Sequence, residues 1–130
     1  MSLKKHLEIV DQFIAYLDHE MPSSTGSRQV NVLQNGLGLR TDAGREALRV
    51  ALANVILIDE KQRDYGAENI SDFGAFGCVV RMNDKIKRLK NLYNNRRRKA
   101  VNESIIDSFR DESNYGIIAT LCELGLWPSK

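Results

Sequence analysis

Hydrophobic residues recur at intervals of three and four positions in four separate stretches of the chain. Because a helix brings such positions onto one face, each stretch predicts an amphipathic helix. The first helix ends before Pro22, and its apolar face is Leu3, Leu7, Val10, Ile14, Leu17 and Met21. The second is capped by Thr41 or Asp42 and runs to about Arg63. Its apolar face is Leu48, Ala51, Leu52, Val55 and Ile58.

The second half of the chain predicts two further helices. Glycines 66, 74 and 77 indicate a loop before the third helix, whose heptad-spaced apolar face is Val79, Met82, Ile86, Leu89 and Tyr93. The fourth helix runs from about Asn102 to Leu124 and ends at Gly125 and Pro128. Its apolar side is Ile106, Phe109, Ile117 and Leu121.

A long polar connection over residues 22–41 separates the first two helices. It is rich in Ser, Gly and Asn, and Val30 and Val32 could form a short extended piece within it. No convincing strand pair and no internal repeat are present. The pattern therefore predicts one all-α domain over residues 1–130, bundle-like, with four main helices.

Composition fits a globular domain and changes the picture mainly through charge. Hydrophobic residues make up 42% of the chain, and the formal net charge is only +2. Nine basic residues nevertheless lie between Arg81 and Lys99 against the single acid Asp84, a segment that would attract phosphate. The basic turn Asn94–Lys99 could contact nucleic acid or simply be solvated. No aromatics interleave it, so binding of nucleic acid is not expected.

Targeting and redox signals are few. Cys78 and Cys122 have no zinc-ligand spacing, which favours buried thiols in a reducing compartment. The N-terminus lacks the long apolar core and small-residue cleavage site of a signal peptide, and no run of 18 apolar residues exists. We therefore predict a cytoplasmic protein that does not span a membrane. His6 and His19 belong to the first helix or its edge and are predicted to lie on the surface.

Three carboxylates stack on one stripe of the fourth helix. Glu103, Asp107 and Asp111 lie at i, i+4 and i+8, and Asn114 follows in line. Stacked like charges repel, and a hard divalent cation such as Mg²⁺ would relieve that repulsion. The stripe continues into Ile118, so these carboxylates should lie at the edge of the core, where they need a partner. A metal ion is one such partner, and salt bridges or a solvated helix surface are the alternatives.

The third helix carries a second polar face, opposite its heptad-spaced apolar face. Arg81, Asp84, Lys85 and Arg88 lie at i, i+3, i+4 and i+7. This face could be solvated, or it could bind phosphate, with arginine as a bidentate donor and lysine as a point charge.

Three sequence blocks, taken together, resemble a known family. The blocks are a K-x-x-DYG turn at residues 61–66, an R-x-x-DK-x-x-RL helix at 81–89, and an E-S-x-x-D-x-x-x-D-x-x-NY helix at 103–115. This order and spacing resembles the phage and bacterial nucleotide-modification-associated domain. That domain is similar to the MazG-like all-α nucleotide pyrophosphohydrolases, including the MazZ-type phage enzymes. The resemblance covers about half the chain, with its core at 61–124.

The resemblance implies a site that binds Mg²⁺ or Mn²⁺ against a nucleoside triphosphate. It makes Glu103, Asp107 and Asp111 catalytic metal ligands, with Asp84 as a further ligand. It places substrate contacts at Lys61, Asp64, Tyr65, Arg81, Lys85, Arg88, Asn114 and Tyr115. Arg81 departs from the family pattern, because MazG-like enzymes have a carboxylate there. Asp59, Glu60 or Asp64 could supply the missing ligand.

The function implied is cleavage of a purine nucleoside triphosphate, dGTP or GTP, to the monophosphate plus pyrophosphate. In a phage setting this enzyme would act in the host cytoplasm. The Arg81 departure motivates an alternative: a non-catalytic nucleotide-binding protein, either a sponge or a regulatory subunit. The resemblance also implies a homo-oligomer, dimer or tetramer. The heptad-like seams of the first and third helices independently suit helix partners within or between chains.

Overall fold

The computed structural model describes residues 2–20, 36–95 and 99–128, without the side chains of residues 18–20, 99–101 and 103. Within these residues the chain is all-α and forms no strand, as the apolar spacing predicts. The helices are α1 (Leu3–Glu20), α2 (Asp42–Tyr65), α3 (Glu68–Ser71), α4 (Gly74–Tyr93) and α5 (Lys99–Glu123). Val30 and Val32 lie outside the described residues. No described helix is both long and apolar enough to cross a membrane.

The chain divides into two compact units, residues 1–57 and 58–130, and the boundary falls within α2. The first unit has a core of Val10, Ile14 and Ala53, against which Leu3, Leu7, Leu52 and Ile56 pack. The predicted apolar face of α1 is therefore the one that is buried. On α2 the buried positions are Ala53 and Asn54, whereas Ala51 and Val55 are exposed. The predicted face of α2 is thus rotated, because its apolar residues are spread around the helix.

In the first unit, a side-chain cap begins α2 and an arginine on α2 forms hydrogen bonds to two carboxylates. The Thr41 hydroxyl accepts the amide N–H of Gly44 at 2.9 Å, so Thr41 is the residue that caps α2. Arg49 donates to both carboxylate oxygens of Asp11, at 2.9 and 2.8 Å, and to Glu46 at 2.7 Å. These hydrogen bonds raise the pKa of Arg49 above its ordinary value. His6 is fully buried, which corrects the prediction that it lies on the surface.

Two glycines shape the connection between α2 and α4 in the second unit. Gly66 has φ +73° and its amide bonds the carbonyl of Gln62 at 2.8 Å, which ends α2 as predicted. Gly74 has φ +62° and begins α4. The sequence predicts a loop over residues 67–77. This stretch instead forms the short helix α3, and α4 starts earlier, because a single left-handed residue suffices to redirect the chain.

Helices α4 and α5 pack against each other and run antiparallel, since Lys85 meets Asp111 while Cys78 meets Ile118. The buried positions of α4 are Cys78 and Leu89, and those of α5 are Ile105, Ser108, Arg110, Asn114 and Ile118. Most of the predicted apolar faces of these two helices are exposed: Val79, Ile86, Tyr93, Ile106, Phe109 and Ile117. This corrects the sequence prediction. Both helices carry apolar residues over a broad arc, and only one edge of that arc faces the neighbouring helix.

Candidate functional site: an aromatic and cationic pocket

The second unit contains a pocket with a volume of about 350 Å³. The end of α2, the α3 region, α4, α5 and the C-terminal segment all contribute to its wall. Its lining residues are Ile58, Lys61, Gln62, Tyr65, Gly66, Asn69, Ile70, Arg81, Asp111, Asn114, Tyr115, Ile118 and Trp127. The wall therefore combines cations, side-chain amides, one carboxylate and three aromatic rings in one cavity.

The three sequence blocks meet at this pocket. The first contributes Lys61, Tyr65 and Gly66, the second Arg81, and the third Asp111, Asn114 and Tyr115. The blocks lie far apart in sequence, and it is the packing of α2, α4 and α5 that brings them together. Six of the twelve residues singled out from the sequence line one cavity: Lys61, Tyr65, Arg81, Asp111, Asn114 and Tyr115.

Other residues singled out from the sequence do not line the pocket. Asp64, Asp84, Arg88 and Asp107 are exposed and absent from its wall. Lys85 reaches the site only indirectly, through its ion pair with Asp111. The side chain of Glu103 lies outside the described residues, as do Arg96, Arg97 and Arg98 of the basic turn.

Asp111 is held between two lysines from different helices. Its Oδ1 accepts Lys61 Nζ at 3.0 Å, and its Oδ2 accepts Lys85 Nζ at 2.9 Å. Burial of the carboxylate is the largest single influence and would raise its pKa. The hydrogen bonds and charges of Lys85 and Lys61 together outweigh burial and lower the pKa of Asp111 below its ordinary value. Asp111 is therefore an ionised carboxylate that ties α2 and α4 to α5.

The pKa values of two neighbours of Asp111 on α5, Arg110 and Glu112, are also shifted. Arg110 is buried, and this burial lowers its pKa although the charges of Asp107, Asp111 and Glu60 oppose the shift. Glu112 is half-buried, and burial raises its pKa against the charge of Lys85. Its Oε1 has no hydrogen-bond partner among the described residues. Sequence spacing did not single out either residue, because neither belongs to the i, i+4, i+8 stripe.

The carboxylates described here do not by themselves form a metal site. No group of three or more His, Cys, Asp or Glu side chains that could hold a metal ion occurs among the described residues. Both oxygens of Asp111 already bind lysines, and Asp59 pairs with Arg63 at 3.1 Å. A metal ion at Asp111 would compete with Lys61 and Lys85 for the two carboxylate oxygens.

Seven lining residues are not among the site residues that the sequence predicts: Ile58, Gln62, Gly66, Asn69, Ile70, Ile118 and Trp127. Gln62 lies within the K-x-x-DYG block and Asn69 follows it by three residues, so their place in or near the block is a usable signal. Trp127 is the single tryptophan of the chain and follows the end of the last helix. A large aromatic just after a helix end indicates a segment that packs against the protein, but its partner cannot be read from the sequence.

Comparison with known proteins gives no match: no family model, no curated protein and no solved structure matches this chain.

Proposed function

We propose that the protein binds a nucleoside triphosphate in the pocket of its second unit. The observation that carries this proposal is the convergence of Lys61 and Arg81 with Tyr65, Tyr115 and Trp127 around one cavity. Cationic side chains suit phosphates, aromatic rings suit a base, and amides can bond the edges of a base or a sugar. A purine nucleotide, dGTP or GTP, is the ligand that the motif resemblance favours.

Binding without hydrolysis is the form of this function that the described residues support best. A metal-assisted cleavage needs carboxylates that are open to the cation, and both Asp111 oxygens are engaged by lysines. In this form Asp111 organises the cationic wall of the pocket. The protein would then act as a nucleotide sponge or a regulatory subunit.

Pyrophosphohydrolysis is the second candidate function. It is favoured by the position of Asp111 on the pocket wall, one turn after Asp107 on a helix that also carries Glu103. Mg²⁺ or Mn²⁺ held there would supply charge neutralisation at the triphosphate and an activated water. Lys61 and Arg81 would bind the phosphates, and Asn114 and Tyr115 would orient the nucleotide.

Binding and product analysis separate these candidates. The protein is titrated by calorimetry with each of the eight common NTPs and dNTPs, with and without Mg²⁺ or Mn²⁺, and the products are resolved by chromatography. Tight binding without product supports the sponge or regulatory form. Monophosphate plus pyrophosphate establishes the pyrophosphohydrolase. Absence of binding to every nucleotide overturns the proposal.

A matched pair of arginine variants tests the pocket itself. Arg81 lines the pocket, whereas Arg88 lies two turns later on the same helix and is exposed outside it. Loss of a charge-assisted hydrogen bond to phosphate in Arg81→Gln should weaken nucleotide binding by about tenfold or more. Arg88→Gln should leave the dissociation constant within about twofold, since its contribution is screened by solvent. Equal affinities of the two variants would place the ligand elsewhere.

We also propose that the protein is a homo-oligomer. Val79, Val80 and Ile86 of α4 are exposed, as are Ile106 and Phe109 of α5, and Phe109 contacts Tyr93 edge-on with ring centroids 6.4 Å apart. These residues give the helical hairpin an apolar surface that a second copy could cover.

A further inference from the structure

Trp127 is anchored to the wall of the pocket by the turn that follows α5. Gly125 adopts φ +69°, and the amides of Leu126 and Trp127 both bond the carbonyl of Leu121, at 2.8 and 3.3 Å. The chain therefore reverses at the end of α5 and returns the tryptophan toward the helix it has just left. A tail residue becomes part of the site in this way.

The indole is held in one orientation by a single hydrogen bond. Its Nε1–H donates to the carbonyl of Ala67 at 3.1 Å, and Ala67 is itself buried. Because this bond uses the only polar group of the side chain, the ring offers the pocket apolar π surface alone. Trp127 also packs against the cluster of Ile70, Cys78 and Ile118, which leaves the ring little freedom to move.

The pocket changes character along α5. Asp111 and its lysines form a charged end, whereas Ile118, with Trp127 and Ile70 packed beside it, forms an apolar end. Asp111 and Ile118 are seven residues apart on one helix, which corresponds to about 10 Å. A nucleotide has the same two-ended character, with charged phosphates at one end and a planar base at the other.

We infer that Trp127 is the wall against which the base of the bound nucleotide stacks, and that it is a base-positioning residue of the site. This inference rests on the proposed nucleotide binding and adds the position of the base. The phosphates then lie toward Lys61, and the amides of Asn69 and Asn114 lie within the same cavity as the base.

The test compares two substitutions that both remove the indole N–H. Trp127→Phe keeps an aromatic ring, whereas Trp127→Leu keeps only apolar bulk. With dGTP as the probe, Trp127→Phe should stay within about threefold of the wild-type dissociation constant, and Trp127→Leu should lose about tenfold or more. Equal affinity of the leucine variant and the wild type would overturn the assignment of Trp127.

Inorganic tripolyphosphate is the control ligand, because it carries the charges of the nucleotide without a base. The two variants and the wild type should bind it equally, which would show that the leucine variant keeps a folded pocket. The single tryptophan also reports directly: dGTP should change its emission, and tripolyphosphate should not. A loss of tripolyphosphate binding in Trp127→Leu to the same extent as dGTP binding would mean a structural role and would refute stacking.

Failure of this inference and failure of the proposed function give different results. If dGTP binds the wild type by calorimetry but the tryptophan emission and the leucine variant are unaffected, nucleotide binding stands and the stacking assignment falls. If no nucleotide binds the wild type, the proposed function itself is refuted, and the stacking role falls with it.

Discussion

At Asp111 the sequence predicts that the carboxylate needs a partner, and only the structure identifies that partner. The position of Asp111 in the i, i+4, i+8 stripe predicts a carboxylate at the edge of the core that needs a partner. It is indeed half-buried, and the partners in the structure are Lys61 from α2 and Lys85 from α4. From the sequence alone the partner could be a lysine, an arginine or a metal ion, because a helix pattern contains no information about which neighbouring helix faces the stripe.

Replacement of Asp111 should change how stability depends on pH. Its pKa is lowered in the folded protein, so its contribution is complete above the unfolded value of about 3.9 and is lost as pH falls through the lower folded value. Asp111→Asn should lower the free energy of unfolding at pH 7 by about 1–2 kcal/mol, since the lysines lose a charged acceptor and Lys61 is half-exposed. Below about pH 4 the difference from wild type should shrink.

Denaturant unfolding at a series of pH values measures this effect, and Asp107→Asn is the matched control. Asp107 lies one turn earlier on α5 and is exposed. Its replacement should change stability by less than about 0.5 kcal/mol. Equal losses in the two variants at pH 7 would contradict the role assigned to the lysine pairs.

At the scale of elements, the sequence predicted the ends of the helices better than it predicted which of their faces are buried. Thr41 and Gly66 bound α2, and both have local causes in a side-chain cap and a left-handed glycine. The faces of α4 and α5 were misjudged, because apolar residues cover a broad arc of each helix. On α4 the heptad positions Val79 and Ile86 are exposed, whereas Cys78 packs with Ile118 of α5 and Lys85 pairs with Asp111 of α5.

Two glycine substitutions should shift stability in opposite directions. Gly66 has φ +73°, so Gly66→Ala should lower the free energy of unfolding by about 1 kcal/mol, the cost of a left-handed alanine. Gly116 lies inside α5 with open space where a Cβ would go, so Gly116→Ala should raise it by about 0.8–1 kcal/mol. Urea unfolding followed by circular dichroism measures both. Shifts of the same sign would contradict the turn assigned to Gly66.

At the scale of the whole molecule, helices α4 and α5 keep an apolar surface that is exposed in a single copy of the chain. Val79, Ile86 and Tyr93 keep the heptad spacing that suits a helix partner, and each is exposed among the described residues. Leu89 of the predicted seam is buried and Tyr93 contacts Phe109 of α5, whereas Val79 and Ile86 remain exposed. This is why we propose a second copy as the partner of this surface.

Charge placed on this surface should dissociate the proposed oligomer. Val79→Glu with Ile86→Glu should reduce the mass measured by light scattering to that of one chain while the helical circular dichroism is kept, because buried carboxylates without partners are costly. Arg88→Glu places a negative charge on the polar side of the same helix, where Arg88 is exposed, and should leave the mass unchanged. A wild-type mass of 14.7 kDa in solution would refute the oligomer directly.

The sequence by itself determined the all-α class, the presence of the four long helices, several helix ends and the three blocks that carry the chemistry. Those features depend on interactions within a few residues, such as apolar periodicity, caps and left-handed glycines. Only the tertiary structure decided which helix faces pack together, that Lys61 and Lys85 bind Asp111, and that Trp127 lines the pocket. These depend on contacts between residues distant in the chain, and many alternative pairings of amphipathic helices would bury similar apolar area.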